Sequence, residues 1–177
     1  DVKKLNTLKR HLDWAYSEVG YAPPNRSLTT NPRAPDQSTG PGISLVSIPP
    51  EKKAMAQKII DAFATAGFGQ FQQIAAVANA LVESNLNPNT HQADDSWGLF
   101  VLRRKTGLGG DHSPEDLMNP DINIGLVVAE AKKYPSFAAA TSLDDAVDSF
   151  VRWIERPVNL NSEIIKRQQI ARQLFRS

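Results

Sequence analysis

The chain has 177 residues, 41% of them apolar and 22% charged, enough for one ordinary globular core with an appendage. A net charge of +1 gives no strong pull toward nucleic acid, so no nucleic-acid partner is expected. The absence of cysteine excludes a disulfide scaffold and thiol chemistry, and no apolar run approaches the roughly 18 residues that span a membrane.

Asp1 rather than Met opens the chain, which is read as processed or as part of a larger polypeptide. Residues 2–19 place Leu5, Leu8, Leu12, Ala15 and Val19 on one stripe, predicting an amphipathic helix whose Lys3, Lys4, Lys9 and Arg10 are read as a solvated face. Residues 20–50 hold seven of the twelve prolines among Ser, Thr, Asn and Gly, and predict a linker or arm. Within it, residues 43–48 are a possible short strand or anchor. The compact domain is expected over residues 51–177.

Pro50-Glu51 suits the first turn of a helix that runs to about Ala66, with Gly67 as its stop. A second helix, residues 70–86, carries Phe71, Ile74, Ala75, Ala78, Leu81 and Val82 at three- and four-residue steps. Asn87-Pro88 halts it, and a polar loop follows with His91, Asp94, Asp95 and Ser96. Residues 96–102 are apolar without helical period and predict a strand or tight bend. Gly107, Gly109 and Gly110 mark a loop, and Ser113-Pro114-Glu115 opens a short helical turn. Asn119-Pro120-Asp121 begins a helix to about Lys133, and Ser142 with Asp145 resembles a capping box for the next. That helix has Ala146, Val147, Phe150, Val151 and Ile154 as its core stripe. Asn161-Ser162 opens the last, in which Lys166, Arg167, Arg172 and Arg176 are read as solvated. The fold class is mainly α, with a cleft and one small non-helical insertion.

Glu83 is the chemically odd residue. It sits near a helix C-terminus, where the dipole disfavours an anion, and no basic residue lies within seven positions on either side. Both effects raise its pKa, as a general acid requires. Read alone, it is more simply an exposed Glu on a frayed helix end.

Glu83-Ser84-Asn85-Leu86-Asn87-Pro88, followed by Ser96-x-Gly98-Leu99-Phe100, resembles the signature of the lysozyme-like superfamily: soluble lytic transglycosylases, goose-type lysozymes and phage tail lysozymes. Leu117-Met118-Asn119-Pro120 and Phe150 with Ile154-Glu155-Arg156-Pro157 extend the resemblance over about residues 51–177. It implies a two-lobed helical fold that cleaves the β-1,4 bond between N-acetylmuramic acid and N-acetylglucosamine, with Glu83 as catalytic acid. It also implies Ser84, Ser96, Trp97, Gly98, Leu99, Phe100 and Val101 as residues along the sugar cleft. For the second catalytic contribution the resemblance to phage tail enzymes tips the expectation toward hydrolysis, with Asp94 or Asp95 acting as a base through water and products with free reducing ends. The alternative is the substrate's own acetamido group, as in lytic transglycosylases with 1,6-anhydro products. Where the family usually has Gln, this chain has Val101, which cannot hydrogen-bond a sugar.

The implied partners are peptidoglycan glycan strands, with other virion or envelope proteins as possible contacts of residues 1–50. The implied setting is a virion or the bacterial envelope. No cofactor and no metal are expected: His91, Asp94, Asp95, Asp111 and His112 lack the spacing of a zinc hydrolase. Gly-x-Ser-x-Gly and phosphate-loop motifs are absent. Glu155-Arg156 is read as an ion pair without chemistry. The competing class is a non-catalytic virion or secretion component on the same fold.

Overall fold

The structure is a computed structural model and describes residues 42–176. The expected helix over residues 2–19 and most of the arm lie outside them. Among the described residues are seven α-helices, one π-helical turn and two small antiparallel sheets. None of these helices is long and apolar enough to cross a membrane.

The organising element is the Glu83 helix. Counting helices in chain order, α1 is Pro50–Thr65 and α2 is Gln70–Ser84. The α2 positions 74–80 are all buried, so this helix is enclosed rather than one-sided. Ala75, Ala76, Ala78 and Ala80 keep its girth small, which lets α1, α6 (Leu143–Phe150) and α7 (Leu160–Gln173) all pack against it. Phe63, Phe68, Phe137 and Phe150 fill the space beside it, with ring centroids 5.2–6.4 Å apart. Such buried rings supply a large part of the apolar burial that stabilises a core.

The helix ends follow local chemistry. Ser113 and Asp116 form a reciprocal capping box for α3 (Pro114–Met118), and the Asn119 side chain caps α4 (Pro120–Ala131). A short α5, Pro135–Ala138, ends where Gln72 of α2 donates to the carbonyls of Phe137 and Ala140. Two sequence expectations need correction here. The Glu83 helix stops at Ser84, two residues early, because Asn85 turns left-handed at φ 53° and ends the ladder. The helix expected to run through Ile154 is α-helical only to Phe150, and Val151–Glu155 continue as a π-helical turn ending at Arg156, φ 54°.

The compact domain also starts earlier than residue 51. Gly42–Ile43 (β1) pairs antiparallel with Phe175–Arg176 (β5), and Ile48 is buried in the core. These contacts fasten the two ends of the domain together. A chain of residues 42–177 is therefore expected to melt cooperatively, while residues 51–177 lose roughly 2 kcal/mol or more from the buried Ile48 alone. Equal unfolding midpoints in urea for the two chains would contradict that role.

Candidate functional site

A cleft of about 730 Å³ opens beside the C-terminal end of α2. Glu83, Phe100 and Val101 line it. One side is the insertion after α2, a three-stranded sheet of His91–Gln92 (β2), Ser96–Trp97 (β3) and Leu102–Arg103 (β4). The other side comprises Glu130 of α4 and residues 154–158, at and beyond the π-helical turn.

Glu83 reaches this place on a rigid helix, and its environment differs from the one its sequence neighbours suggest. Arg167 of α7, only 2% exposed, donates Nη2 to Glu83 and Nη1 to Glu163. The expectation that Arg167 is solvated is thus corrected. Ile164, Arg167, Ala171 and Leu174 are all buried at helical spacing, so the arginine sits on the apolar stripe of α7. Burial raises the Glu83 carboxyl above its ordinary value and outweighs Arg167, which lowers it.

Of the other carboxyls that line the cleft, Glu155 is the one without an arginine partner among the described residues. The sequence reading pairs it with Arg156, but Arg156 bonds instead to Glu130, Tyr134 and the Trp153 carbonyl. Consecutive residues on this turn point apart, and Glu155 has no hydrogen-bond partner among the described residues. Burial, and then the nearby charge of Glu83, push Glu155 up to about 8. Glu83 and Glu155 thus differ, one paired with an arginine and the other not, and two titrating groups in unlike surroundings can take different roles.

A folded-state pKa above the ordinary 4.5 means the native state holds a proton the unfolded chain has lost. Stability from that proton is present below about 4.5 and is lost as pH rises toward 8. Glu155→Gln is therefore expected to gain stability relative to the natural chain as pH rises through this window. Urea unfolding at pH 5 and pH 8.5 measures it, and a constant difference would contradict the raised Glu155 carboxyl.

Asp94 and Asp95 are engaged elsewhere. Asp94 borders the cleft but is bound by Arg103, and Asp95, at φ 63°, accepts from Trp97 Nε1 (2.8 Å) and pairs with Arg104 (3.3 Å). The Arg103 bond holds Asp94 below the usual carboxylate range, and the Trp97 bond, with Arg104, does so for Asp95. Asp95 is not among the cleft-lining residues, because its turn aims the carboxylate back at the sheet.

Of the other residues assigned to the cleft, Ser96, Phe100 and Val101 border it. The remaining four support it from behind. Ser84 is buried and donates its hydroxyl to the Leu99 carbonyl at 2.7 Å, tying the helix end to the loop. Leu99 is fully buried in the core, and Trp97 stacks on His91 at 5.0 Å. Gly98 has φ 86°, and a Cβ there would meet the Leu117 carbonyl oxygen at 2.0 Å and Asn123 Nδ2 at 2.2 Å. The sequence reading did not single out Asn123. It is buried, donates to the Trp97 and Leu117 carbonyls and accepts from the Phe100 N–H, which locks the loop onto α4. The residues considered for a metal do not converge: among the described residues no three His, Cys, Asp or Glu side chains could hold an ion.

Val101 occupies the left-handed region at φ 48°, a conformation that costs a β-branched residue roughly 1–3 kcal/mol. Gln at this position escapes the β-branch clash and offers the cleft a hydrogen-bonding amide. Val101→Gln is expected to be as stable as the natural chain or more so, and to bind glycan oligomers more tightly. Lower stability with unchanged binding would place the side chain in the core. In comparisons with known proteins, the chain matches no family model, no curated protein and no solved structure.

Proposed function

We propose that the chain is a lysozyme-like glycosidase of peptidoglycan that cleaves the β-1,4 bond between N-acetylmuramic acid and N-acetylglucosamine. The observation that carries the reading is Glu83. It sits at the end of a buried helix and lines an open cleft, and burial raises its carboxyl above the ordinary value. In this reading Glu83 protonates the bridging oxygen of the scissile bond, a step that needs a carboxyl still protonated near neutral pH. Arg167 stabilises the carboxylate left behind once the proton has gone. Burial pushes the Glu155 carboxyl up to about 8, so it adds little negative charge to the cleft while the sugar binds.

The ion pairs of Asp94 and Asp95 favour one version of the following step. A carboxylate held by arginine with a lowered pKa is a poor base for water. Attack by the substrate's acetamido group needs no such base. The sugar's own 6-hydroxyl, giving its proton back to the Glu83 carboxylate, then displaces the acetamido oxygen from C1. Products ending in a 1,6-anhydro ring are thus favoured over free reducing ends. A virion or envelope setting, in which such an enzyme opens the wall, is part of the same proposal.

The experiment is digestion of purified peptidoglycan followed by mass spectrometry of the muropeptides. The two product types differ by one water. Free reducing ends, with activity lost in Asp94→Asn, would return the water-activating role to Asp94. No cleavage at all would leave a non-catalytic component on this fold.

A further inference from the structure

Two residues before Glu155, on the same π-helical turn, stands an exposed tryptophan paired with a tyrosine. Trp153, in the π-helical turn, is 43% exposed, and its ring stacks on Tyr134 with centroids 6.1 Å apart and planes 17° from parallel. Nothing in the core requires this tryptophan. Buried apolar side chains elsewhere close the fold, whereas this ring leaves much of its surface in water.

The pair is nevertheless braced. Glu130, nearly buried, accepts from the Tyr134 hydroxyl at 2.9 Å and from Lys133 at 2.6 Å, and it pairs with Arg156. Arg156 lies over the Tyr134 ring at 5.8 Å and donates Nε to the Trp153 carbonyl at 2.7 Å. The tyrosine, the arginine and the turn that bears the tryptophan are therefore fixed before any ligand arrives, which lowers the ordering cost of binding. Glu130 and Arg156 themselves border the cleft, so the platform is continuous with it. Around it one buried carboxylate faces two cations, Lys133 and Arg156, both more than half exposed, which leaves one positive charge in excess.

We propose that Trp153, braced by Tyr134 and Arg156, is an outer subsite that stacks on a sugar of the glycan strand running out of the cleft, with Lys133 and Arg156 meeting the acidic stem peptide. This rests on the glycosidase reading. A ring with an exposed apolar face suits the CH face of a pyranose, and the excess positive charge suits a strand whose stem peptides carry carboxylates. The subsite holds long strands and is out of reach of short oligomers confined to the cleft.

The test uses the full chain carrying Glu83→Gln, so that binding is read without turnover, with purified insoluble peptidoglycan as the probe. Adding Trp153→Ala is expected to weaken co-sedimentation about tenfold, and Trp153→Phe to recover most of it. Binding should also change the tryptophan fluorescence of the parent, and that change should be lost with Trp153→Ala. Glycan strands stripped of stem peptides should bind the parent more weakly. Equal binding of parent and Trp153→Ala overturns the subsite and leaves the glycosidase reading standing. Failure of the parent to sediment overturns the subsite, and, joined to absence of wall lysis by the natural chain, overturns that reading too.

Discussion

Glu83→Gln is expected to lower wall-lysing activity by about 10²- to 10⁴-fold, the usual contribution of a positioned general acid. The amide keeps the shape of the side chain and retains an oxygen that Arg167 can donate to, so its partner is not stranded. Arg167 also keeps Glu163. The change in stability should therefore stay within about 1 kcal/mol, the scale of one hydrogen bond exchanged for a weaker one. Turbidity loss of purified walls gives the activity, and urea unfolding gives the stability. A variant that lyses walls at near-natural rates would end the assignment of Glu83, whatever the products are.

The second large effect is expected on stability. Arg167→Met removes the buried cation that lies between Glu83 and Glu163 and leaves both carboxylates facing apolar surroundings. Breaking such a pair from one side costs roughly 3–5 kcal/mol. The lower end applies here, because the side chains of Glu83 and Glu163 are 20% and 28% exposed and still reach water. The loss should also depend on pH in a definite direction. Arg167 is what lowers the Glu83 carboxyl, so without it the folded-state pKa moves further above 4.5. The variant then holds a proton the unfolded chain does not, and its deficit grows as pH rises from about 4.5 through the folded pKa. Unfolding at pH 5 and pH 8 should show a larger gap at pH 8. A loss of equal size at both would mean that Arg167 acts by packing its stem.

How much of this was legible beforehand depended on the range of the interaction. Helix starts were readable because a cap is a contact within three or four residues. Ser113, Asn119 and Ser142 each accept from a backbone N–H a few positions on. One buried face of α2 was also foreshadowed, since Ile74, Ala75 and Ala78 mark it by period alone, whereas its enclosure, with Ala76, Val77 and Ala80 buried too, was not. The mainly helical class followed from these local signals. So did the non-helical insertion after Glu83, which is the three-stranded sheet.

The charges in the cleft were decided only by the tertiary structure. Glu83 and Arg167 are 84 positions apart, and no local pattern pairs them. The one signal available was Arg167 falling in step with Ile164 and Ala171, a cation where the stripe calls for an apolar residue. Arg156 and Glu155 show the reverse failure. Adjacent opposite charges suggested a pair, yet the π-helical turn sends Arg156 to Glu130, 26 positions away, and leaves Glu155 facing the cleft. The partners of the two aspartates are likewise set by the fold, because the hairpin brings Arg103 and Arg104 back across the sheet onto Asp94 and Asp95. Capping and periodicity are properties of a few consecutive residues, and the chain carries them openly. A carboxyl's pKa depends on burial and on which distant charges the fold sets beside it, and those exist only once the helices have packed.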